Sequence, residues 1–366
     1  MNISIIGGGI VGCATAYYLS RDGHDVTLFE RDSLAQHASG FALGGLNPPV
    51  GKVPSEAYLT LAEYSISLHR ELSGLLTGAG NERPDFQQKP TLSLVKDPVE
   101  MAAMQQIHRA YANDSSVDVR WLGLGELSHI DARVSPSVLG GLYFGDTYEL
   151  DPYRLTLALW QAAEQQGARL VNREVTEIAV NGDRVTGVVS ADGAVAADAV
   201  VVAAGPWSAG VLSAVGVNVP VTPLRGQILR LDAPGPPLKV HFSWGSNYAT
   251  SKADGLLWVG TTEEEVGFDD STTDAARDQI IDHAVQVLPY LEDAQLVQQT
   301  ACLRPMTPDR SPIIDAGHGP DGLVITTGGG RQGILLGPAM GSAAATLAAG
   351  TGAAVDLTAF SLARFA

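Results

Sequence analysis

The stretch Gly7-Gly8-Gly9-Ile10-Val11-Gly12 decides the fold of this chain. Gly7, Gly9 and Gly12 have the spacing G-x-G-x-x-G and directly follow the short apolar run Ile3–Ile6. In this spacing the first glycine allows a tight turn, the second lets the backbone approach a pyrophosphate, and the third lets a helix pack closely on the strand. The helix N-terminus then offers unpaired N–H groups to the phosphates. The stretch predicts a strand–turn–helix unit that binds a dinucleotide; a purely structural glycine turn is the alternative.

The residues after this turn complete a βαβ unit. Ala14, Tyr17 and Tyr18 are spaced near the helical period, and Asp25–Glu30 is predicted to form the second strand. An acidic residue at the end of that strand can hydrogen-bond both hydroxyls of a ribose. Glu30 therefore favours FAD or NAD over NADP.

Composition and charge exclude several classes of protein. The chain has 366 residues and a formal net charge of -17, so nucleic acid and anionic membranes would be repelled. A hydrophobic fraction of 45% excludes a disordered chain. The only two cysteines, Cys13 and Cys302, exclude a disulfide scaffold, and the eight histidines show no metal-binding spacing. We expect a cofactor held by local Arg residues and backbone N–H groups, and no bound metal.

Two charge-free stretches, 199–221 and 333–355, are long enough to span a bilayer. Both are rich in Gly and Ala and contain proline, which contribute little to membrane insertion. We interpret them as buried elements that pack closely on a sheet or cofactor. No basic and apolar leader precedes Ile3, so a cytoplasmic protein is expected.

The remaining pattern predicts an α/β protein with a Rossmann-like domain and a β-rich α+β domain. Helices are expected over Ser55–Leu76, Glu100–Tyr111, Pro152–Gln166 and Ala275–Leu288. Asn181-Gly182 and Asp192-Gly193 are hairpin signals that predict a β-meander from residue 175 to 197. The dinucleotide-binding domain is assigned residues 1–80, 148–214 and 300–366. The substrate-binding domain is assigned 81–147 and 215–299.

Several ordered motifs carry a resemblance over nearly the whole chain. They are His37–Leu46, Glu149–Pro152, Ala203–Ser208, Gly260–Glu263, Gly267–Asp269, Leu303–Asp309 and Arg331–Pro338. In this order they resemble the D-amino acid oxidase-like (DAO) superfamily of FAD-dependent oxidoreductases, and within it the glycine oxidase branch.

The glycine motif and the resemblance together imply an FAD site. Its expected residues are Gly7, Gly9, Ile10, Val11, Gly12, Glu30, Arg31, Ala38, Ser39, Leu43, Gly44, Gly45, Val175, Gly205, Gly329, Gly330, Arg331, Gln332, Gly333 and Ile334. Small residues at these places let backbone N–H groups reach anionic oxygens and ring heteroatoms. A helix that begins near Gly333 would stabilise the negative charge that develops on the flavin when it is reduced; a plain strand-to-helix turn is the alternative.

The resemblance also implies a substrate site formed by Tyr248, Arg304 and Arg331. Arg304 lies in an apolar run and needs an anionic partner, which is either a substrate carboxylate or the structural partner Asp309 or Asp315. By the resemblance, Tyr248 closes the pocket and hydrogen-bonds the carboxylate. Arg331 faces the ligand, or instead braces the flavin or an acidic residue.

We expect FAD to be bound non-covalently, with a covalent bond through Cys302 as the minor alternative. Cys302 falls where the related sarcosine oxidases carry the cysteine that bonds to their flavin. The segment Ala249–Lys252 departs from the family, whose members more often show an apolar residue, proline and arginine there.

The resemblance implies oxidative deamination of glycine or a D-amino acid by hydride transfer to flavin N5. The imine product would hydrolyse to an oxo acid and ammonia, with hydrogen peroxide formed if dioxygen is the acceptor. The alternatives are a secondary amine such as sarcosine, a cyclic imino acid or a 2-hydroxy acid as substrate, and a dehydrogenase with a non-oxygen acceptor. A flavoprotein module that works only within a larger complex is a further alternative, and a homo-oligomer is compatible with the sequence.

Overall fold

The computed structural model describes residues 1–47, 55–76, 83–111 and 117–366. Its helices are α1 (Ile10–Arg21), α2 (Ala38–Phe41), α3 (Glu56–Leu75), α4 (Pro98–Tyr111), α5 (Leu124–Ile130), α6 (Pro152–Gln165), α7 (Ser208–Ser213), α8 (Asp274–Val287) and α9 (Gly333–Ala348). Short 3-10 helices cover Gly205–Trp207, Pro289–Asp293, Gly330–Gln332, Thr358–Phe360 and Leu362–Phe365.

The strands up to the middle of the chain are β1 (Asn2–Ile6), β2 (Asp25–Phe29), β3 (Gly45–Leu46), β4 (Gln87–Gln88), β5 (Thr91–Val95), β6 (Val119–Leu122), β7 (Gly140–Phe144), β8 (Tyr148–Glu149), β9 (Arg169–Val171) and β10 (Val175–Asn181). Those that follow are β11 (Arg184–Ser190), β12 (Gly193–Ala196), β13 (Ala199–Val202), β14 (Thr222–Asp232), β15 (His241–Trp244), β16 (Asn247–Ser251), β17 (Leu257–Gly260), β18 (Gln295–Met306), β19 (Ile313–Asp315) and β20 (Leu323–Thr327).

A six-stranded sheet of order β19-β20-β13-β1-β2-β9 forms the first half of the fold. All neighbouring pairs are parallel except the edge pair of β19 with β20. One face packs on α1, α3, α6 and α9, and the other packs on the meander β10-β11-β12 and α7. This Rossmann-like arrangement confirms the predicted fold class, the βαβ unit and the meander.

An eight-stranded sheet of order β18-β14-β17-β16-β15-β5-β7-β6 forms the second half. Its strands alternate between two faces, as the period of two requires. Leu92, Leu229, Phe242, Ala249 and Val259 lie in one core with residues of α8. The residues between them in sequence face the opposite side, towards the first half of the fold. The domain boundaries remain predictions; the one at residue 300 falls inside β18.

The charge-free stretch after residue 332 forms a helix whose small residues permit close packing. A Cβ added at Gly341 would clash with Ala14 Cβ, and one at Gly337 would lie 2.9 Å from Ile10 Cγ2. α9 therefore needs glycine where it crosses α1, which agrees with the interpretation as a buried element. Within the described ranges, no helix is both long and apolar enough to cross a membrane.

The structure corrects two boundaries. α4 begins at Pro98 rather than Glu100, because Asp97 accepts hydrogen bonds from the backbone N–H groups of Val99 (2.8 Å) and Glu100 (2.9 Å). Asp97 thus caps the helix, with proline in its first position. In the sequence, the run Gln227–Leu231 is typical of a strand, but β14 extends from Thr222 because it pairs along its whole length with β18.

Candidate active site

One cavity of about 1060 Å³ collects residues from both sheets. Its lining includes every predicted site residue except Gly12: Gly7, Gly9, Ile10, Val11, Glu30, Arg31, Ala38, Ser39, Leu43, Gly44, Gly45, Val175, Gly205, Tyr248, Arg304, Gly329, Gly330, Arg331, Gln332, Gly333 and Ile334. A Cβ on Gly12 would overlap the carbonyl oxygen of Gly7, so this glycine is required for helix packing. Residues predicted from separate motifs therefore lie around a single space.

The glycine turn brings bare backbone to one end of the cavity. Gly7 has φ of 113°, and a Cβ there would overlap the carbonyl oxygen of Ala203. The helix α1 begins at Ile10, whose N–H donates to Ser39 Oγ over 2.9 Å. No acidic residue stands in the first turn of α1. The positive end of this helix dipole is therefore available to an anion.

Glu30 is fixed beside the turn by two backbone donors. Its Oε2 accepts a hydrogen bond from Gly8 N over 2.6 Å, and its Oε1 accepts one from Asp32 N over 2.9 Å. The carboxylate lines the cavity at the end of β2. This position agrees with the predicted ribose contact, which remains a prediction.

Arg31 and His37 pack on Trp207 in the cavity wall. The guanidinium of Arg31 lies 4.4 Å from the Trp207 ring centroid, and the His37 ring lies 4.8 Å from it. Asp32 joins the two, through hydrogen bonds with Arg31 Nε (3.0 Å) and His37 Nε2 (2.8 Å). Trp207 was not predicted as a site residue, although the motif Ala203–Ser208 contains it.

The C-terminal glycine loop contributes a second helix N-terminus. Gly328 and Gly330 have φ of 78° and 53°, which other residues rarely adopt. They turn the chain from β20 into α9, which begins at Gly333 and has no side-chain cap. The first turn of α9 lines the cavity, so its N–H groups are available to an electron-rich ring.

Arg304 is buried, and its partners among the described residues are neutral. Its Nη1 donates to the carbonyl oxygen of Thr262 over 3.1 Å, and its Nη2 donates to Thr261 Oγ1 over 2.8 Å. Asp309 pairs instead with Arg364 (2.7 Å), and Asp315 accepts from Leu362 N (2.8 Å). The structural alternative for Arg304 is therefore wrong. Among the described residues, no carboxylate lies within salt-bridge distance of it.

Arg331 forms an ion pair with an acidic residue, which is one of the roles expected for it from the sequence. Its Nη1 donates to Glu263 Oε1 over 2.7 Å, and its Nη2 donates to the carbonyl oxygen of Ser246 over 2.8 Å. The charge of Arg331 is thus compensated within the chain. Direct binding of substrate by Arg331 remains a prediction.

Tyr248 stands beside Arg304 on the cavity face of the second sheet. It is paired in register with Gly260, and a Cβ at that glycine would lie 2.6 Å from the Tyr248 hydroxyl oxygen. Burial raises the pKa of Tyr248, although Arg304 and Arg331 act in the opposite direction. The phenol is neutral at physiological pH and can donate a hydrogen bond.

Cys302 also lines the cavity, on β18 near Arg304. Burial raises the pKa of its thiol. A neutral thiol is a weak nucleophile, so this environment does not favour attack on a ring.

A buried ion network behind the loop Leu43–Gly45 was missed by sequence reasoning. Lys252 Nζ donates to the carbonyl oxygens of Leu43 (2.9 Å) and Leu150 (2.8 Å). Lys89 Nζ pairs with Glu149 at 3.2 Å, and Thr250 Oγ1 donates to Glu149 over 2.9 Å. The departure at Ala249–Lys252 was the available signal, because it places Lys252 against the predicted flavin loop.

The cavity fits FAD in size, charge and backbone exposure. Its volume slightly exceeds the ~300–1,000 Å³ typical of small-molecule sites, as suits a large dinucleotide. A fixed carboxylate at Glu30 suits a ribose, the N-terminus of α1 suits a pyrophosphate, and that of α9 suits the flavin ring. We therefore assign FAD to this cavity, and the contacts of individual residues with FAD remain predictions.

Comparison with known proteins agrees with this assignment. Residues 2–347 match the model of the DAO family, described as FAD dependent oxidoreductase. The chain is 30% identical over 358 residues to glycine oxidase from Pseudomonas aeruginosa, which covers 97% of this chain and 96% of the relative.

Solved structures give the same result. The crystal structure of glycine oxidase from Geobacillus kaustophilus superposes with a TM-score of 0.93 at 27% identity, covering 98% of this chain and 97% of that one. Iminodiacetate oxidase from a Chelativorans species gives a TM-score of 0.90 at 26% identity, covering 98% of both chains. The chain belongs to the DAO family of FAD-dependent oxidoreductases, in the branch that contains the glycine oxidases.

Proposed function

We propose that this enzyme oxidises the amine of a small amino acid, glycine or a D-amino acid, and binds the substrate through its carboxylate. One observation carries the proposal. Arg304 is a buried cation on the cavity wall, and its partners within the described chain are a carbonyl and a hydroxyl. A buried charge without a counter-ion is costly, so a site of this kind is suited to an anionic ligand.

The guanidinium of Arg304 retains free donors for that ligand. Arginine has five N–H groups in a planar fork, and the hydrogen bonds of Arg304 to Thr262 and Thr261 use one on each terminal nitrogen. These bonds hold the fork against Thr261 and Thr262. The remaining donors can form hydrogen bonds with both oxygens of a carboxylate. Two such bonds fix the orientation of the carboxylate, and thus the position of the α-carbon, as well as its distance from the guanidinium.

Tyr248 assists Arg304 as a neutral donor. Its hydroxyl can donate to a carboxylate oxygen, because burial keeps the phenol protonated. Arg304 and Tyr248 together would orient the α C–H bond towards the flavin. FAD, when bound, supplies the atom that accepts the hydride. The free N–H groups at the start of α9 would stabilise the negative charge that develops there.

A secondary amine is the second candidate substrate. It is supported by the likeness to an enzyme whose name identifies iminodiacetate, a secondary amine with two carboxylates, as its substrate. Glycine oxidases support a primary amine. The same proposal covers the electron acceptor: hydrogen peroxide is formed if the acceptor is dioxygen. It also includes a cytoplasmic location.

An anaerobic reduction screen tests the proposal. The holoenzyme is mixed without oxygen with glycine, sarcosine, D-alanine, D-proline, L-proline and a 2-hydroxy acid, and bleaching of the flavin band is followed. We expect reduction by glycine or a D-amino acid. Reduction by sarcosine or proline alone favours the second candidate, and reduction by the hydroxy acid alone contradicts amine oxidation.

A further inference from the structure

The second sheet presents a row of polar side chains to the cavity beyond Tyr248. Ser243 on β15 is the register partner of Tyr248, and His241 lies on the same face two residues earlier. On the next strand, Thr91 is the partner of His241, and Ser93 is the partner of Ser243. His241, Ser243 and Thr91 all line the cavity.

These polar side chains are buried, so contact with solvent does not explain why they are polar. His241 is 6% exposed and Thr91 is 2% exposed. On the opposite face of the same strands, Leu92 and Phe242 are apolar and pack in the core with α8. Polar side chains on a buried face need hydrogen-bond partners, so an apolar group packed against them would leave their polar atoms unpaired.

His241, in this row, and Asn47, which follows β3, have no such partner among the described residues. Neither nitrogen of His241 makes a hydrogen bond with any described residue, and its Nδ1 is fully buried. Asn47 Oδ1 is likewise buried and unpaired within the described ranges. Both flank Gly45, since a Cβ there would lie 3.4 Å from Asn47 Nδ2 and 3.8 Å from His241 Cε1.

The other members of the row each have a hydrogen-bond partner within the chain. Ser243 Oγ lies 2.9 Å from Ser93 Oγ, and Thr91 Oγ1 accepts from Thr147 Oγ1 over 3.1 Å. Because one hydroxyl of the serine pair donates to the other, Ser243 keeps hydrogen-bonding capacity towards the cavity. Polar atoms without a partner among the described residues are therefore found at His241 and Asn47, and Ser243 keeps spare hydrogen-bonding capacity beside them.

The electrostatics of this place favour a neutral group. Burial lowers the pKa of His241 to about 4; Glu149 acts against this shift, whereas Lys89 and Lys252 add to it, so the imidazole is uncharged near neutral pH. A neutral imidazole offers one donor and one acceptor. The ammonium groups of Lys89 and Lys252 are held by Glu149 and by backbone carbonyls. Among the residues that the structure describes, a second carboxylate would find no free cation here.

We propose that His241, Asn47 and Ser243 form a subsite next to Arg304 and Tyr248 that binds a neutral hydrogen-bonding group on the substrate side chain. This inference rests on the proposed function and narrows it. The substrate class is then a short amino acid with a hydroxyl or carboxamide, not one with an alkyl side chain.

Isosteric pairs of substrates test the subsite. The rate of anaerobic flavin reduction is measured for both enantiomers of serine and 2-aminobutyrate, and of asparagine and leucine. In each pair the molecules have similar shape and differ in hydrogen bonding. We expect roughly tenfold higher kcat/KM for a polar member, the effect of about one hydrogen bond. A difference within the serine pair indicates that the subsite binds a hydroxyl, and a difference within the asparagine pair indicates that it binds a carboxamide.

The variant His241→Phe removes the imidazole nitrogens and keeps a flat ring. It should reduce the ratio of kcat/KM for the polar substrate to kcat/KM for its apolar isostere to near unity. His283→Phe is the matched control, because His283 lies on α8, across the sheet from the cavity. If His241→Phe does not fold, Ser243→Ala takes its place, with a smaller loss of preference expected.

A binding measurement gives a readout that does not depend on turnover. Calorimetry compares 3-hydroxypropanoate, which is serine without its amine, with its isostere butanoate. The parent should bind the hydroxy acid roughly tenfold more tightly, and His241→Phe should bind both alike.

Equal binding of the two acids by the parent would overturn the subsite, as would an unchanged preference in His241→Phe. The same holds if only glycine and sarcosine reduce the flavin. These results leave the proposed function intact as long as Arg304→Ala weakens both acids. If Arg304→Ala weakens neither acid and no amino acid reduces the flavin, the proposed function itself fails.

Discussion

The ammonium group of Lys252 donates a hydrogen bond to the carbonyl oxygen of Leu43 over 2.9 Å. A second bond joins it to the carbonyl oxygen of Leu150 over 2.8 Å. Lys252 follows β16 of the second sheet, whereas Leu43 belongs to the loop predicted to contact the flavin, and Leu150 N donates to Gly44 O in that loop. One buried cation thus holds this loop against the sheet that carries Tyr248.

Lys252→Met should weaken FAD binding, because the methionine retains bulk but cannot hold the two carbonyls. We expect the dissociation constant for FAD to rise about tenfold, which corresponds to ~1.4 kcal/mol. Fluorescence titration of apoprotein with FAD measures this. Lys96→Met is the control, since Lys96 pairs with Gln286 at the surface. Equal FAD affinity in Lys252→Met and the parent would show that the loop is fixed without this lysine.

Glu30→Ala should also weaken FAD retention, but without a change in substrate preference. The carboxylate is at the dinucleotide end of the cavity, and the lost charge-assisted hydrogen bonds correspond to roughly 1.5–3 kcal/mol. FAD titration and the ranking of substrates are both measured. Undiminished FAD affinity in the variant would refute the ribose assignment.

Acid precipitation should release the flavin as FAD into the supernatant. The Cys302 thiol is buried, and its raised pKa keeps it protonated, which disfavours a covalent bond to the ring. Chromatography of the released cofactor distinguishes FAD from FMN. A yellow pellet that becomes colourless in Cys302→Ala would instead establish the covalent link.

The fold should lose stability in mildly acidic solution through His69. Burial lowers the pKa of His69 to about 4, although hydrogen bonds to the carbonyl oxygens of Ile334 and Leu335 act against this. Below about pH 6.5 the His69 imidazole binds a proton in the unfolded chain, whereas in the native state it stays neutral down to about pH 4. The free energy of unfolding therefore falls as the pH drops from 6.5 towards 4, by on the order of 3 kcal/mol from this group.

Urea unfolding at several pH values measures the effect. His69→Phe should have a flatter pH dependence between pH 4 and 6.5, with part of the slope left because His241 titrates in the same direction. His129→Phe, at an exposed position, should keep the slope of the parent. A slope unchanged in His69→Phe would mean that His69 does not titrate as its burial requires.

Local signals in the sequence were sufficient for the N-terminal βαβ unit of the cofactor half. The glycine spacing, the apolar strand and Glu30 act within one βαβ unit, so their arrangement follows from short-range geometry. The start of α4 could have been found in the same way, because Asp97 followed by proline is a capping signal.

The substrate side depends on long-range pairing that no local signal contains. Arg304 could be named as a buried cation, but its freedom from Asp309 became evident only when Arg364 proved to be the partner of Asp309. His241 and Ser243 look like ordinary strand residues. Their role depends on the register of β15 with β5 and β16, which brings them to the cavity face.

The central claim is that Arg304 binds the substrate carboxylate, and Arg304→Ala tests it most directly. The measurement is kcat/KM for the amino acid that reduces the flavin, alongside its amine analogue without the carboxylate, with the FAD content determined for each protein. We predict a loss of roughly 2–5 kcal/mol for the amino acid, little change for the analogue and near-normal FAD content. Arg304→Lys should recover little, since lysine lacks the planar fork. An Arg304→Ala enzyme that keeps the parent KM while losing FAD or its fold would contradict the account.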